Sequence, residues 1–102
     1  ICTEIIVSSS VDIDHTLRSQ QKVLAICKHL RTDTYLNPVG GQSLYSAGAF
    51  KEQGVELRFL RPNPIVYEQH GGTFVPNLSI IDVMMFNSVE QINTMLDDYE
   101  LI

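Results

Sequence analysis

Strand-like and helix-like segments alternate along this chain, and that alternation limits the fold more than any single motif does. Cys2–Ser8 is β-branched and apolar and predicts a short strand, ended by Ser8-Ser9-Ser10. Asp12 or Asp14 is placed to cap a helix over His15–Arg31. Within it, Val23, Cys27 and Leu30 are spaced by four and three, with Leu24 alongside and Leu17 ahead; Arg18, Gln21, Lys22 and Lys28 fall largely outside this stripe. Thr34–Leu36 predicts a second strand, stopped by Asn37-Pro38 and a Val39-Gly40-Gly41 turn. Gln42–Gln53 predicts a second helix, weakened by Gly48 and ended by Gly54. Val55–Leu60 alternates apolar and polar residues, the mark of a half-buried strand.

Beyond it the pattern loosens. Arg61–Asn77 carries Pro62, Pro64, Gly71, Gly72 and Pro76, with Ile65-Val66-Tyr67 as a candidate strand fragment. Loops of this length tend to be functional or to pack on something. Ser79 is positioned to cap the next helix, with Asp82 three residues on completing an acidic capping box. That helix carries Ile80, Ile81, Val83, Met84, Met85 and Phe86, apolar nearly all round, which predicts deep burial. Asn87-Ser88 breaks it, and Val89–Asp98 predicts a last helix with Ile92, Met95 and Leu96 facing inward.

The resulting order, β-α-β-α-β-loop-α-α, implies parallel pairing and right-handed crossovers. The expected class is therefore α/β: a small three-layer domain with a short, mostly parallel sheet. At 102 residues the chain fits one domain. A start at Ile1 rather than Met and an apolar end at Leu101-Ile102 suggest the C-terminal part of a longer protein.

Charge narrows the partners. The net charge is −5, and no Lys or Arg follows Arg61. Glu90–Ile102 is charged only by acids, which disfavours nucleic acid and anionic membranes. No apolar run approaches the roughly 20 residues of a membrane span and no signal peptide is evident, so the expected location is cytoplasmic. Asn77-Leu78-Ser79 fits the glycosylation pattern by accident in such a chain. Cys2 and Cys27 are expected to be buried and reduced. Three His and two Cys lack any metal-ligand spacing, so neither a metal nor another cofactor is expected.

Few residues point to chemistry. Asn37–Ser43 lies between a strand end and a helix start, where Gly40 and Gly41 let backbone N–H groups face an anion; a tight turn needs the same glycines. His70-Gly71-Gly72 has the look of an oxyanion loop, but no Gly-x-Ser-x-Gly accompanies it. Cys27 and His29 point about 200° apart on a helix and cannot act as nucleophile and base. Ser8–Ser10 with Asp12, Asp14 and His15 holds the residue types of a triad, although a strand end and a helix cap explain them too. Asp82 is an acid in an apolar helix, either capping it or serving as a site carboxylate beside Ser79. Tyr67, Gln69 and Phe74 either line a pocket for a polar ring such as a sugar or plug a core.

Taken together, Thr34-Tyr35-Leu36-Asn37-Pro38-Val39-Gly40-Gly41, Leu44-Tyr45, Phe50, Gly54-Val55-Glu56-Leu57, Tyr67-x-Gln69 and Phe74-x-Pro76-x-Leu78-Ser79-Ile80-Ile81-Asp82-x-x-x-Phe86-Asn87 resemble the WbqC-like family over about residues 8–87. The chain departs from the family in lacking the N-terminal Gln-Pro-x-Tyr-x-Pro-Trp segment and Gly-Tyr-Phe turn; it has no Trp at all. The resemblance is thus to the family's C-terminal half, and it implies contacts with an N-terminal half. It also implies a bacterial role in O-antigen, capsule or natural-product assembly. The implied activity is a transferase that N-acylates an activated amino sugar; the alternative is a docking or regulatory module of the same machinery. Carried onto this chain, the family motif marks Tyr35, Asn37, Tyr67, Gln69, Ser79, Asp82 and Asn87. Asn37 and Gln69 would hold substrate hydroxyls, Gly40 and Gly41 would face an anionic group, and Asp82, a catalytic candidate with Ser79, would orient an amine or serve as base. The ligand would be a nucleotide sugar or acyl donor, and self-association into a homo-oligomer is compatible with the resemblance.

Overall fold

A computed structural model describes residues 2–102. Its elements are helix α1 (Ser19–His29), strand β1 (Thr34–Pro38), a 3-10 helix (Val39–Leu44), α2 (Ala47–Glu52), β2 (Glu56–Pro62), α3 (Ile80–Phe86), α4 (Val89–Leu96) and β3 (Tyr99–Leu101). Hydrogen bonding orders the strands β1-β2-β3. β1 and β2 run parallel, with Tyr35 opposite Leu57 and Asn37 opposite Phe59. Phe59 and Ile102 exchange both backbone bonds, at 2.7 and 2.9 Å, the signature of an antiparallel pair. The fold is α/β with a mixed three-stranded sheet. The chain divides into two compact units, one running to Leu60 with Ile102 and one covering Arg61–Leu101.

In the first unit the core forms around Cys27, Phe50 and Val55, with Val23, Leu24, Tyr35, Tyr45 and Leu57 packed against them. The α1 stripe delivers Val23, Leu24 and Cys27 as its spacing predicts. Leu30 falls just past the helix end and is 40% exposed. The helix starts later than expected because Asp14 turns the chain on itself: its Oδ1 accepts from the Thr16 backbone N–H at 2.9 Å and the Thr16 hydroxyl at 2.6 Å. Such local bonds compete with the first helical turn. The expected helix over Gln42–Gln53 is split. After β1 the chain coils into the 3-10 segment, which holds Gly40 and Gly41, and a new helix starts behind Ser46, whose side chain accepts from the Ala49 N–H. Gly54, at φ +74°, reverses the chain into β2.

The strand expected over Cys2–Ser8 is absent. Residues 2–7 have no regular structure, Ser8–Ser10 forms a 3-10 turn, and Ile5 and Val7 are largely exposed. β-Propensity expresses fit to a half-buried pleated surface, and this segment has no neighbouring strand to fit. Cys2 is accordingly exposed, contrary to expectation, while Cys27 is buried and its thiol pKa is pushed up by that burial. A thiol reagent should therefore label one cysteine, Cys2, in the native protein and a second only in denaturant; two equivalents labelled at equal native rates would contradict the placement of Cys27.

In the second unit β3 begins directly after α4. The Asn63 N–H donates to the Asp98 carbonyl at 3.1 Å, and Arg61 pairs with Glu100. Residues 63–79 are irregular, and Ile65-Val66-Tyr67 is not a strand. The stretch still alternates: Asn63, Ile65, Tyr67 and Gln69 are half-buried and the residues between them are exposed. Ser88 and Gln91 form a capping box at the start of α4, which ends at Leu96; Ile92 and Met95 are half-buried but Leu96 is half exposed.

The expectation of a deeply buried α3 is overturned. Only Val83 is buried, while Ile80, Ile81, Met84 and Met85 are 54%, 67%, 58% and 77% exposed. At about 100° per residue these four fill an outward arc, whereas Asp82, Val83 and Phe86 fill the inward one. The one polar residue of the helix faces in because its hydrogen-bond donors lie there.

Candidate functional site

The loop before α3 is held by side chains that close on the backbone. Gln69 spans the turn at residues 70–74: its Oε1 accepts from the Val75 N–H at 3.0 Å and its Nε2 donates to the Val75 carbonyl at 3.1 Å. The amide thus substitutes for a paired strand residue and satisfies backbone groups that no ladder reaches. Gly71 and Gly72, at φ +58° and +78°, make the turn between them.

Asp82 ties this loop to α3. Its Oδ2 accepts from the Tyr67 hydroxyl at 2.6 Å and from Gln69 Nε2 at 3.3 Å. The bond to Asp82 is the main cause of a raised Tyr67 pKa, so the phenol keeps its proton through neutral pH and acts as a donor. The expected acidic capping box does not form: Ser79 Oγ caps the helix alone, accepting from Ile81 N–H at 3.3 Å, while the Asp82 carboxylate turns to the loop. At the other helix end Asn87 Nδ2 donates to the Val83 carbonyl at 2.8 Å.

With its hydroxyl anchored, the Tyr67 ring meets Phe74 edge-to-face, centroids 5.3 Å apart. This pair lines two clefts. One, of about 300 Å3, is bounded also by Glu68, Gln69, Gly71 and Gly72. The other, of about 410 Å3, is largely apolar. Tyr67, Gln69 and Asp82 are thus brought together, Ser79 stands one turn before Asp82, and Asn87 is committed to a helix end. Phe74 joins Tyr67 in lining a pocket, one of the two roles open to it from sequence. Ile65, Leu78 and Met95 also line the larger cleft. Met95 was expected to face inward and Leu78 belongs to the motif, but that the three meet in one cleft could not be read from residues up to 30 positions apart.

Tyr35, Asn37, Gly40 and Gly41 lie in the first unit. Tyr35 belongs to the core, stacked on Phe50 at 5.5 Å and edge-on to Tyr45 at 5.7 Å. Burial and the Tyr45 hydroxyl push its pKa up to about 12. The half-buried Asn37 carboxamide rests against the Gly41 backbone: a Cβ there would sit 2.8 Å from Asn37 Nδ2 and displace that side chain. Gly40 faces open space. A further cleft of about 390 Å3 runs along Lys51 and the Gly54–Leu57 block of the motif, and none of the candidate site residues lines it.

Among the described residues no group of three or more His, Cys, Asp or Glu is arranged to hold a metal ion, and no helix is long and apolar enough to cross a membrane. His70 meets the Phe86 ring edge-to-face at 4.8 Å.

The profile of the WbqC-like protein family matches residues 1–94. The chain belongs to that family. Both halves of the motif fall inside the matched span: the Asn37–Gly41 segment of this WbqC-like chain and its Tyr67–Asp82 cluster. Comparison with the curated proteins and with the solved structures gave no match.

Proposed function

We propose that this WbqC-like chain holds the sugar of an activated amino-sugar precursor for a transferase of surface-glycan or natural-product assembly, with N-acylation as the reaction. One observation carries the reading: the convergence of Tyr67 and Gln69 on Asp82 Oδ2, which fixes an aromatic ring, a carboxamide and a glycine turn around one cleft. Aromatic edges with a few placed polar groups suit a polar ring, and little of the site needs to move to accept it. Asp82 is the positioning residue here. One of its oxygens takes two donors, and through it Asp82 serves the cleft by holding Tyr67 and Gln69.

Isothermal calorimetry with uridine-diphosphate amino sugars tests this. Binding to the intact chain that falls at least tenfold in Tyr67→Ala is expected, the worth of about 1.4 kcal/mol of lost contact. Equal affinity in the variant would remove the cleft from the account.

A second reading, a docking module of the glycan machinery, draws on the outward arc of α3, where Ile80, Ile81, Met84 and Met85 are exposed together. On that reading the motif residues are structural and no sugar binds.

A further inference from the structure

The geometry points to a second ligand site in the same unit: the larger cleft takes an aliphatic acyl chain. Its walls are the side chains of Ile65, Leu78, Val83 and Met95 with the rings of Tyr67 and Phe74. No charged side chain lines it. Its carboxamides are Asn63, whose Nδ2 donates to Asp98 Oδ1 at 2.7 Å, and Asn77. A phosphate placed there would lose hydration and meet no cationic side chain to offset the loss. Methylene groups lose nothing polar and are drawn in by the hydrophobic effect. The volume of about 410 Å3 lies in the range of small-ligand clefts. Leu78, 46% exposed, stands at an open rim, so a chain can enter without unfolding the unit. Met95 is unbranched and adapts to chains of different width.

The contrast with the smaller cleft gives the site its meaning. That cleft presents Glu68, Gln69 and the Gly71-Gly72 turn, and the two clefts share Tyr67 and Phe74. A chain in one and a polar ring in the other would therefore both contact a single aromatic pair, as the two substrates of an acyl transfer must come close. The identification of the chain as a donor's acyl group rests on the proposed transferase reading; the chain site itself does not.

Methyl and amide NMR on the intact chain separates the two. The probes are straight-chain alcohols from butanol to octanol, octanoate, octanoyl-pantetheine as a thioester, and a uridine-diphosphate amino sugar. Saturable shifts of the Ile65, Leu78 and Met95 methyls are expected, with affinity rising about fourfold per added methylene, the worth of a buried CH2 group. Leu78→Trp should remove those shifts and leave the sugar's effect on residues 69–72 intact. Should that variant unfold, the chain-length series on the unaltered protein still decides. Affinity that ignores chain length, or shifts centred on Ile81, Met84 and Met85, would overturn the site. Octanoyl-pantetheine binding more tightly than octanoate supports the donor role, and the reverse order overturns that role. Chain binding without any sugar response would sink the sugar reading and keep the chain site; a sugar response without chain binding would do the opposite.

Discussion

Phe50→Ala should lower the stability of the protein by about 3–5 kcal/mol, the usual cost of emptying a fully enclosed aromatic site. Phe50 is the one large side chain with no exposure at all among the described residues. It stacks on Tyr35 with the ring planes 10° apart and takes the edge of Tyr45 at 5.9 Å. Neither neighbour can close the hole: Tyr35 is fixed on β1, and Tyr45 sits on the link between the 3-10 segment and α2. Domains of this size have roughly 5–15 kcal/mol to lose, so the variant should be partly unfolded at 37 °C. Urea titration followed by far-ultraviolet circular dichroism measures the loss. A change below about 1 kcal/mol would mean that the first unit is not organised around this ring.

Asp82→Ala should have the next largest effect, and of a different kind. Removing the carboxylate leaves two donors, the Tyr67 hydroxyl and Gln69 Nε2, without their shared acceptor. The loop at residues 69–75 should loosen and sugar binding should go with it. Asp82→Asn is the informative partner. Both donors use a single oxygen, so an asparagine carbonyl can accept both, and this variant should keep most of the loop's order and most of the binding. Loss of turnover with binding intact in Asp82→Asn would instead make Asp82 a base. The pH dependence follows from Tyr67. Its pKa is raised above the unfolded value of 10.0 by the bond to Asp82, so the bond's contribution is fully present below that value. It is lost as the pH rises through the folded value. Binding should stay level across neutral pH and fail in alkali.

Where local pattern coincided with packing, the sequence was a good guide. The α1 stripe and the Gly54 stop reappear because one periodicity or one backbone requirement fixes each, and β2 forms as a strand although its burial does not alternate, Leu57, Arg58, Phe59 and Leu60 all being half-buried. Where pattern depends on a partner, it misled. Cys2–Val7 has strand residues and no strand beside it, and α3 has core residues without a core around its outward face. β3 is three residues long, too short to show a period, and is held by its pairing to β2. The site was half legible. Tyr67, Gln69 and Asp82 could be singled out as polar residues in an apolar or irregular setting, but that they share one oxygen atom could not be read from spacings of 13 and 15 residues.

The most direct test of the proposed site is an amide NMR titration of the intact chain with a uridine-diphosphate amino sugar. Shifts confined to Tyr67–Phe74 and Ser79–Asp82, reduced in Tyr67→Ala, are the predicted result. Shifts confined to Asn37–Ser43, or a well-dispersed spectrum that the sugar leaves unchanged, would contradict it.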